Sequence, residues 1–396
     1  MNSHQLSNDP GQQALYTLIQ RSIANAGGWL GFDRFMALAL YAPGMGYYAN
    51  SLRKFGLTPE SGSDFATAPE MSPHFGRTLA HPVREALQVT GTDEVWEFGA
   101  GSGALAKQLL DALGDAVQRY TIVDLSGSLR ARQQETLKAH AHKVRWVDAL
   151  PDQLSGVAVG NEVLDAMPVQ LLVRKSGVWH ERGVVWRGDA ADPAKAVGIS
   201  APQPDSAVAV SPLQWEDRVT DLRPPVDVPG DHDYLTEIHS QAEAFVATLA
   251  DRFKAGEAAT GKGGAAFLID YGFPEGEYFH PQRHMGTLMC HQLHKSDTDP
   301  LQDVGAKDIT AHVNFTGVAL AAQDAGLNVL GYTTQAHFLI NCGLLPPLVD
   351  APIAEKAMAQ KLITEHEMGE LFKVVALGTS EWEPMGFVQG DRSHTL

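Results

Sequence analysis

A glycine turn between two acidic positions is the part of this sequence whose residue types and spacing indicate chemistry most clearly. Gly99, Gly101 and Gly103 occupy alternate positions, Glu97 precedes them, and Asp124 ends the next apolar run. Glycine lets the backbone bend sharply and lets a ligand come within contact distance, because it has no Cβ. We therefore expect these five residues to hold a ligand at a strand-to-helix turn.

The carboxylate of Glu97 favours one ligand over another. Read loosely, the turn fits the dinucleotide pattern Gly-x-Gly-x-x-Gly/Ala, with Ala104 in the last place and Asp124 where a ribose-binding acid is expected. A pyrophosphate would be repelled by Glu97, whereas the sulfonium and cationic amino-acid tail of S-adenosylmethionine would not. The pattern favours S-adenosylmethionine, with Glu97 near its methionine end and Asp124 on its ribose hydroxyls. A dinucleotide cofactor and a turn that binds nothing remain alternatives.

A second acidic group follows the predicted strand 157–160 and comprises Asn161, Glu162 and Asp165. Ligands of open α/β sheets bind at the carboxyl ends of the strands, so these side chains should face the transferable methyl group. Two carboxylates can align a planar guanidinium through paired hydrogen bonds and accept the proton it releases. We predict Glu162 and Asp165 as catalytic residues and Asn161 as a cofactor contact. The alternative is that one acid caps a helix while the other forms a structural salt bridge.

Two further segments offer cofactor contacts. In methyltransferases of this kind of fold the acid after the third strand usually accepts the adenine amino group, which indicates Asp148; a simple loop acid is the alternative. The polar segment 64–76 leads towards the glycine turn and is predicted to cover the cofactor, with oxygens from Asp64, Thr67 and Glu70. Its alternative is a surface loop.

Two other segments have open interpretations. The tyrosine-rich turn 41–48 is either a packed corner or part of the lining of a substrate entrance. The loop 280–297 contains six potential metal ligands, but no pair has Cys-x-x-Cys or His-Glu-x-x-His spacing, so no metal is predicted. Substrate contact by Arg283 or His291 and ordinary loop histidines are the alternatives there. The six potential ligands are His280, His284, Cys290, His291, His294 and Asp297.

The apolar periodicity predicts the elements that position these residues. Apolar runs alternate with helical spacing, which indicates a doubly wound, mostly parallel α/β sheet, and the last two strands are expected to form an antiparallel edge. Predicted helices cover 13–26, 33–40, 75–87, 105–113, 126–139, 234–253, a helix capped by 308–310 and running to about 325, and a helix end at 338–345. Predicted strands cover 95–98, 120–123, 144–147, 157–160, 168–173, 183–186, 263–270, 327–332 and 372–377.

Composition limits the partners and the compartment. The 396 residues include 30 Lys and Arg against 47 Asp and Glu, a net charge of −17 that makes nucleic acid an improbable partner. A basic peptide or a guanidinium-bearing substrate is compatible with this charge, and so is plain solubility. Only Cys290 and Cys342 occur, so no disulfide framework is expected. The N-terminus shows no targeting pattern and no span of a membrane is predicted, so we expect a cytoplasmic protein; its oligomeric state is not indicated.

The predicted organisation has two parts. Residues 1–91 should form N-terminal helices and the loop that covers the cofactor. Residues 92–396 should form the catalytic domain, with peripheral insertions at about 187–230 and 275–306. Alanine, proline and aspartate dominate the first insertion, which is expected to be partly disordered and carries no catalytic signal.

Several segments together resemble the MidA-like family, whose mitochondrial members assist complex I assembly as protein arginine methyltransferases. The resemblance implies a Rossmann-like class I methyltransferase fold, S-adenosyl-L-methionine as cofactor, and a protein substrate bearing arginine, with a respiratory complex I subunit as a candidate. Asp124 stands where the family often has Glu, and Cys290 or His291 stands where it often has Tyr. A small-molecule methyltransferase and a cofactor-binding assembly factor without transfer activity are the rival interpretations. The matching segments are YAPGMGYY, DFATAPEMSPHFG, EFGAGSGAL, YTIVDLSGSLR, NEVLDAMP, IDYGF, HMGTL, DITAHVNF and TQAHFL.

Overall fold

The computed structural model describes residues 10–50, 67–124, 127–187 and 211–396. Its strands are β1 (Leu30–Gly31), β2 (Glu94–Phe98), β3 (Arg119–Val123), β4 (Val144–Val147), β5 (Gly156–Asn161), β6 (Gln170–Lys175), β7 (Val178–Trp186), β8 (Leu213–Val219), β9 (Tyr234–Ile238), β10 (Gly264–Phe273), β11 (Met289–Gln292), β12 (Lys295–Asp297), β13 (Asp308–Thr310), β14 (Val313–Asn314), β15 (Asn328–Thr334) and β16 (Phe372–Gly378). Its α-helices are α1 (Pro10–Asn25), α2 (Phe32–Tyr41), α3 (Ala68–Met71), α4 (Pro73–Thr90), α5 (Ala104–Leu113), α6 (Gly127–Thr136), α7 (Ser240–Thr260), α8 (Glu275–Tyr278), α9 (Phe315–Asp324), α10 (Gln335–Asn341), α11 (Leu345–Leu348) and α12 (Ile353–Lys361).

The main sheet has the strand order β15-β16-β10-β5-β2-β3-β4. Strands β4, β3, β2, β5 and β10 are parallel to one another, whereas β16 is antiparallel to both β10 and β15. The chain runs outward from β2 through β3 to β4 and then returns to β5 on the other side of β2, so the strand order reverses between β2 and β5. This Rossmann-like arrangement confirms the predicted mostly parallel sheet and its antiparallel edge, and it places a ligand crevice at the ends of β2 and β5.

Helices cover both faces of this sheet. Every residue of β5 is buried. Val157 and Val159 belong to the hydrophobic cluster formed with α4 and α5, whereas Ala158 belongs to the cluster formed with α7 and α9. Because successive residues of a strand point to opposite faces, a strand with helices on both sides needs an unbroken apolar run.

A second sheet packs against the N-terminal helices. Strands β1, β7, β6 and β9 form it in that order, and β8 also pairs with β7. Leu15, Phe32 and Phe35 from α1 and α2 share a core with Leu171 and Val184 of this sheet. Ile309 of the small sheet β12-β11-β13 belongs to the same core. Its neighbour Ala311 donates its N–H to the carbonyl of Asp165 at 2.9 Å, which brings the second core beside the end of β5.

Two predicted helices are wrong at their starts. Residues 234–238 form β9, which pairs with β6 and buries Tyr234, Thr236 and Glu237, and α7 begins only at Ser240. Residues 308–310 form β13, and α9 begins at Phe315 after Asn314, whose side chain accepts the N–H of Gly317. In both cases strand pairing determines the structure where helical spacing or a capping residue indicated a helix.

The stretch where composition predicted a peripheral insertion contains an edge strand. Within it, residues 188–210 lie outside the described part of the chain. Leu213–Val219 forms β8 and pairs along its whole length with β7. None of the described helices is both long and apolar enough to cross a membrane.

Candidate active site

A cavity of about 1010 Å³ opens at the carboxyl ends of the central strands. Residues of the glycine turn line it on one side, and residues at the end of β5 line it next to them. Tyr41, Tyr48, Asp308 and His312, which belong to the segments outside the main sheet, line its far side. The volume lies at the upper end of the range for ligand sites, so the cavity has room for a cofactor and part of a second molecule.

The glycine turn requires glycine on grounds of conformation, and at Gly99 also on grounds of space. Gly99, Gly101 and Gly103 have φ angles of 62°, 52° and 83°, a region that other residues rarely adopt. A Cβ on Gly99 would lie 3.2 Å from Val163 Cγ2, and one on Gly103 would lie 3.4 Å from the Cα of Gln133. Since α5 begins immediately afterwards, the turn aims the start of this helix at the cavity.

Both acids flanking the turn line the cavity, as the sequence predicted for cofactor contacts. Glu97 is 2% exposed, and its Oε2 accepts the hydroxyl of Tyr120 at 2.8 Å. Burial raises the pKa of Glu97 to about 8, the Tyr120 hydroxyl opposes this, and nearby Asp124 adds to it. Since a cation stabilises the ionised form of a neighbouring carboxylate, a positively charged ligand would reverse the shift.

Of the other predicted cofactor contacts, three line the cavity, one does not, and one lies outside the described residues. Thr67, Glu70 and Asn161 line the cavity, and Glu70 accepts a hydrogen bond from the Ser102 hydroxyl of the glycine turn. Asp148 is not among the residues that line the cavity. Its side chain is 74% exposed and pairs with the guanidinium of Arg130. The predicted contact Asp64 lies outside the described residues.

The turn after β5 is held by a carboxylate from the neighbouring strand. Asp270 Oδ2 accepts the N–H groups of Val163, Leu164 and Asp165 at 3.1, 2.9 and 3.2 Å. Glu162 lies within this turn with a φ of 55°, an uncommon conformation for a residue other than glycine. Asp270 therefore fixes the backbone that carries both predicted catalytic acids.

Glu162 and Asp165 are brought together at the cavity. Burial raises the pKa of Glu162 to about 8, with a further contribution from Asp165. Burial also raises the pKa of Asp165, to about 6, although the hydroxyl of Tyr271 donates to its Oδ2 at 2.6 Å. Within the described part of the chain, Oδ1 of Asp165 and Oδ1 of Asn161 are buried and accept no hydrogen bond. A buried acceptor without a donor raises the free energy of the fold, so these two oxygens are suited to accept hydrogen bonds from a ligand.

Four cavity residues were not among the predicted catalytic or cofactor-binding residues: Tyr41, Tyr48, Tyr271 and Asp308. The Tyr48 hydroxyl lies 2.9 Å from both carboxylate oxygens of Asp308, and the Tyr41 hydroxyl donates to the carbonyl of Ala166 at 2.8 Å. The rings of Tyr41 and Tyr48 stack at 5.6 Å. The segment 41–48 thus packs as a corner and also lines the cavity. Its closely spaced tyrosines were the feature of the sequence that drew attention to it. Asp308 carried no such signal, because the sequence indicated a helix cap there.

The histidine-rich segment contributes Met289 and His291 to the cavity lining, and His291 is its one histidine there. His280, His284 and His294 are exposed. No three His, Cys, Asp or Glu side chains of the described ranges are arranged to hold a metal ion. Arg283 lies over the ring of Phe273 at 3.9 Å and is not a lining residue.

Most charged side chains that line the cavity are acidic. Seven carboxylates line it, and among the described residues that line it there is no lysine or arginine. In a crevice with low-dielectric walls such an arrangement attracts cations and repels phosphates. The seven are Glu70, Glu97, Asp124, Glu162, Asp165, Asp308 and Glu367.

Comparison with known proteins finds a matching family, named relatives and a similar solved structure. Residues 78–333 match a family described as an S-adenosyl-L-methionine-dependent methyltransferase. The Caenorhabditis elegans "Protein arginine methyltransferase NDUFAF7 homolog, mitochondrial" is 25% identical over 378 residues, covering 87% of this chain and 81% of the relative. The Danio rerio "Protein arginine methyltransferase NDUFAF7, mitochondrial" is 26% identical over 357 residues, covering 81% and 74%. A crystal structure of a Burkholderia thailandensis protein bound to S-adenosyl-homocysteine is 44% identical, with a TM-score of 0.87 over 100% of this chain and 99% of that one.

Proposed function

Because the chain belongs to the MidA-like family of S-adenosyl-L-methionine-dependent methyltransferases, we propose that it methylates a guanidinium nitrogen of an arginine in a protein substrate. The observation that carries the proposal is the acidic cavity, which contains seven carboxylates and, among its described lining residues, no lysine or arginine. The relatives named protein arginine methyltransferases support the same acceptor.

The cofactor half of the cavity fits S-adenosyl-L-methionine, which supplies an electrophilic methyl group when bound. Gly99 and Gly101 line the cavity and leave room for the amino-acid tail of the cofactor. Gly103, also predicted as a cofactor contact, is not a lining residue; it allows the positive φ with which the turn ends. The carboxylate of Glu97 is assigned to the amino group of the tail and that of Asp124 to the ribose hydroxyls. The unpartnered Oδ1 of Asn161 offers a further acceptor beside them.

The acceptor half is suited to a planar cation. Tyr271 fixes Oδ2 of Asp165, so that Oδ1 remains to accept a guanidinium N–H. A guanidinium stays charged at neutral pH and presents several N–H donors in one plane, so one carboxylate can orient it while another contacts a second nitrogen. We assign the orienting role to Asp165. Fixing the nitrogen in line with the methyl group supplies much of the rate in such a transfer.

The proton released on transfer needs an acceptor, and Glu162 is assigned this role. A general base is most effective when its pKa is near the working pH, and burial places the pKa of Glu162 at about 8. An arriving guanidinium lowers this pKa by its charge, so that the carboxylate is ionised when the substrate is in place. The proton lost by the attacking nitrogen then neutralises a carboxylate that is otherwise expensive to keep charged.

The test is methyl transfer from labelled S-adenosyl-L-methionine into a lysate from a strain that lacks this protein. The proposal predicts label in a protein band that yields methylarginine after hydrolysis. Label confined to metabolites would instead identify a small-molecule methyltransferase, and cofactor binding without any labelled product would identify an assembly factor. Peptide mass mapping of the deletion strain against its parent then locates the lost methylarginine. Respiratory complex I subunits are the first peptides to compare, because the family's mitochondrial members act there.

A further inference from the structure

The side-chain amide of Gln133, on α6, joins the two halves of the cofactor site. Its Nε2 donates to the carbonyl of Gly101 at 3.1 Å and to Oδ2 of Asp124 at 2.7 Å. Its Oε1 accepts the indole N–H of Trp146 at 2.9 Å. Gln133 is fully buried. One side chain thus ties the turn after β2, the acid at the end of β3 and a ring on β4 into a single hydrogen-bonded unit.

The orientation of this amide is fixed by its partners. A carbonyl and a carboxylate accept hydrogen bonds, so the group facing them must be the NH₂. An indole N–H only donates, so the group facing Trp146 must be the oxygen. Flipping the amide would oppose donor to donor and acceptor to acceptor in a buried place, which is costly. Trp146 therefore holds the two donor hydrogens of Gln133 towards Gly101 and Asp124.

The backbone of α6 presses against the same turn. A Cβ on Gly103 would lie 3.4 Å from the Cα of Gln133 and 3.5 Å from the Cβ of Thr136. The hydroxyl of Thr136 donates to the carbonyl of Ser102 at 2.8 Å. Two successive carbonyls of the turn are thus held towards α6. In a trans peptide the N–H lies opposite the preceding carbonyl, so the N–H of Ser102 is directed away from α6.

We propose that Gln133 is a positioning residue. By orienting the carboxylate of Asp124, it determines how strongly the site prefers a cofactor that has ribose hydroxyls to one that lacks them. The inference rests on the proposed role of Asp124 in binding the ribose hydroxyls. A carboxylate on a strand end can rotate about two side-chain torsions, and the Gln133 amide restrains this rotation because it also bonds the carbonyl of Gly101 in the glycine turn. The amino-acid tail and the ribose of the cofactor then meet groups whose spacing is preset, which lowers the entropic cost of binding.

The test compares calorimetric binding of S-adenosylhomocysteine with that of its analogue lacking both ribose hydroxyls. Hydrogen bonds to a charged group predict that the unmodified protein binds the analogue about tenfold to a hundredfold more weakly. Gln133→Leu is expected to weaken S-adenosylhomocysteine by about the same factor while leaving the analogue little changed, so that the preference disappears. Asp124→Asn should remove the preference as well, and the double variant should lose no more than either single variant.

Thr136→Val is the matched control on the same helix. It releases the Ser102 carbonyl but leaves the Gln133–Asp124 contact, so it should weaken both ligands equally and keep the preference. If Gln133→Leu does not fold, Trp146→Phe replaces it, because loss of the indole donor frees the amide and should reduce the preference several-fold. Equal weakening of both ligands by Gln133→Leu, or an unchanged preference in Trp146→Phe, overturns the proposal. Because only binding is measured, a failure to find methylarginine would leave this result standing.

Discussion

At the scale of single residues, Asp165 and its partner Tyr271 decide what the acceptor side can do. The carboxylate is 4% exposed, one of its oxygens is held at 2.6 Å, and the other has no donor within the described residues. An acid that is buried and restrained in this way loses less orientational freedom on binding than an exposed one. It also pays a desolvation cost that a guanidinium would relieve.

The first prediction concerns Asp165→Asn. The substitution keeps the shape but replaces a charged acceptor by a neutral amide, so methyl transfer should fall by about two orders of magnitude or more. Affinity for S-adenosylhomocysteine should stay unchanged, because Asp165 is assigned to the acceptor. Labelled transfer measures the first and calorimetry the second. A fully active variant would remove Asp165 from the mechanism.

The second prediction concerns the pH dependence set by Tyr271. Its hydroxyl lowers the pKa of Asp165, which burial has raised to about 6. Activity that needs ionised Asp165 should therefore fall as the pH drops through about 6. Tyr271→Phe removes the donor, so the pKa should rise and this acid limb should move to higher pH. Rates of transfer between pH 5 and 9 test it; an acid limb that stays in place would show that the hydroxyl does not act on Asp165.

At the scale of elements, the strand ends and the turns after them build the site. The sequence predicted the turn after β2 and the acids after β3 and β5, because apolar runs that end in glycine or acid leave a local pattern. It did not predict that Asp270 on β10 would hold the backbone of the turn after β5, since that contact joins residues more than 100 positions apart. Asp148 follows β4 and was assigned to the adenine amino group by analogy with other methyltransferases. In the structure its carboxylate pairs with the guanidinium of Arg130 and does not line the cavity. Local pattern therefore indicates which turns matter, while long-range pairing decides which side chains face the cavity.

The third prediction tests the glycine turn as an element. Gly101 has a φ of 52° and lines the cavity, so Gly101→Val should both strain the turn and fill the space that the cofactor needs. Binding of S-adenosylhomocysteine should be lost. Gly91→Val is the matched control, because Gly91 has a similar φ of 65° with nothing near its missing Cβ and lies at the end of α4, outside the cavity lining. The control should lose stability but keep affinity, and unchanged calorimetric affinity in Gly101→Val would refute the site.

At the scale of the whole molecule, the acids that suit the cavity to a cationic ligand also lower the stability of the ligand-free fold. The net charge of −17 was readable from composition, but composition did not show that seven acids converge on one cavity. Residues that raise each other's pKa in a fold destabilise it when they ionise. The pKa values of Glu97, Glu162 and Asp165 are raised in this cavity, so without a cationic ligand the protein should become less stable as these three groups lose their protons.

The fourth prediction concerns the effect of Glu97 on the pH dependence of stability in the ligand-free protein. Its pKa is about 8 in the fold against 4.5 as the ordinary value, so between these limits the folded state holds a proton that the unfolded state has lost. Stability from this group is therefore complete below about pH 4.5 and decreases as the pH rises to 8. Glu97→Gln is always neutral, so its melting temperature should match that of the unmodified protein near pH 5 and exceed it increasingly towards pH 8.5. The exposed Glu381→Gln is the matched control and should give no such trend. The same Glu97→Gln variant should bind S-adenosylhomocysteine more weakly, because the amino group of the tail loses its carboxylate. A melting-temperature difference that does not grow with pH would show that Glu97 is already ionised in the empty cavity, and the electrostatic link between cofactor and fold would be absent.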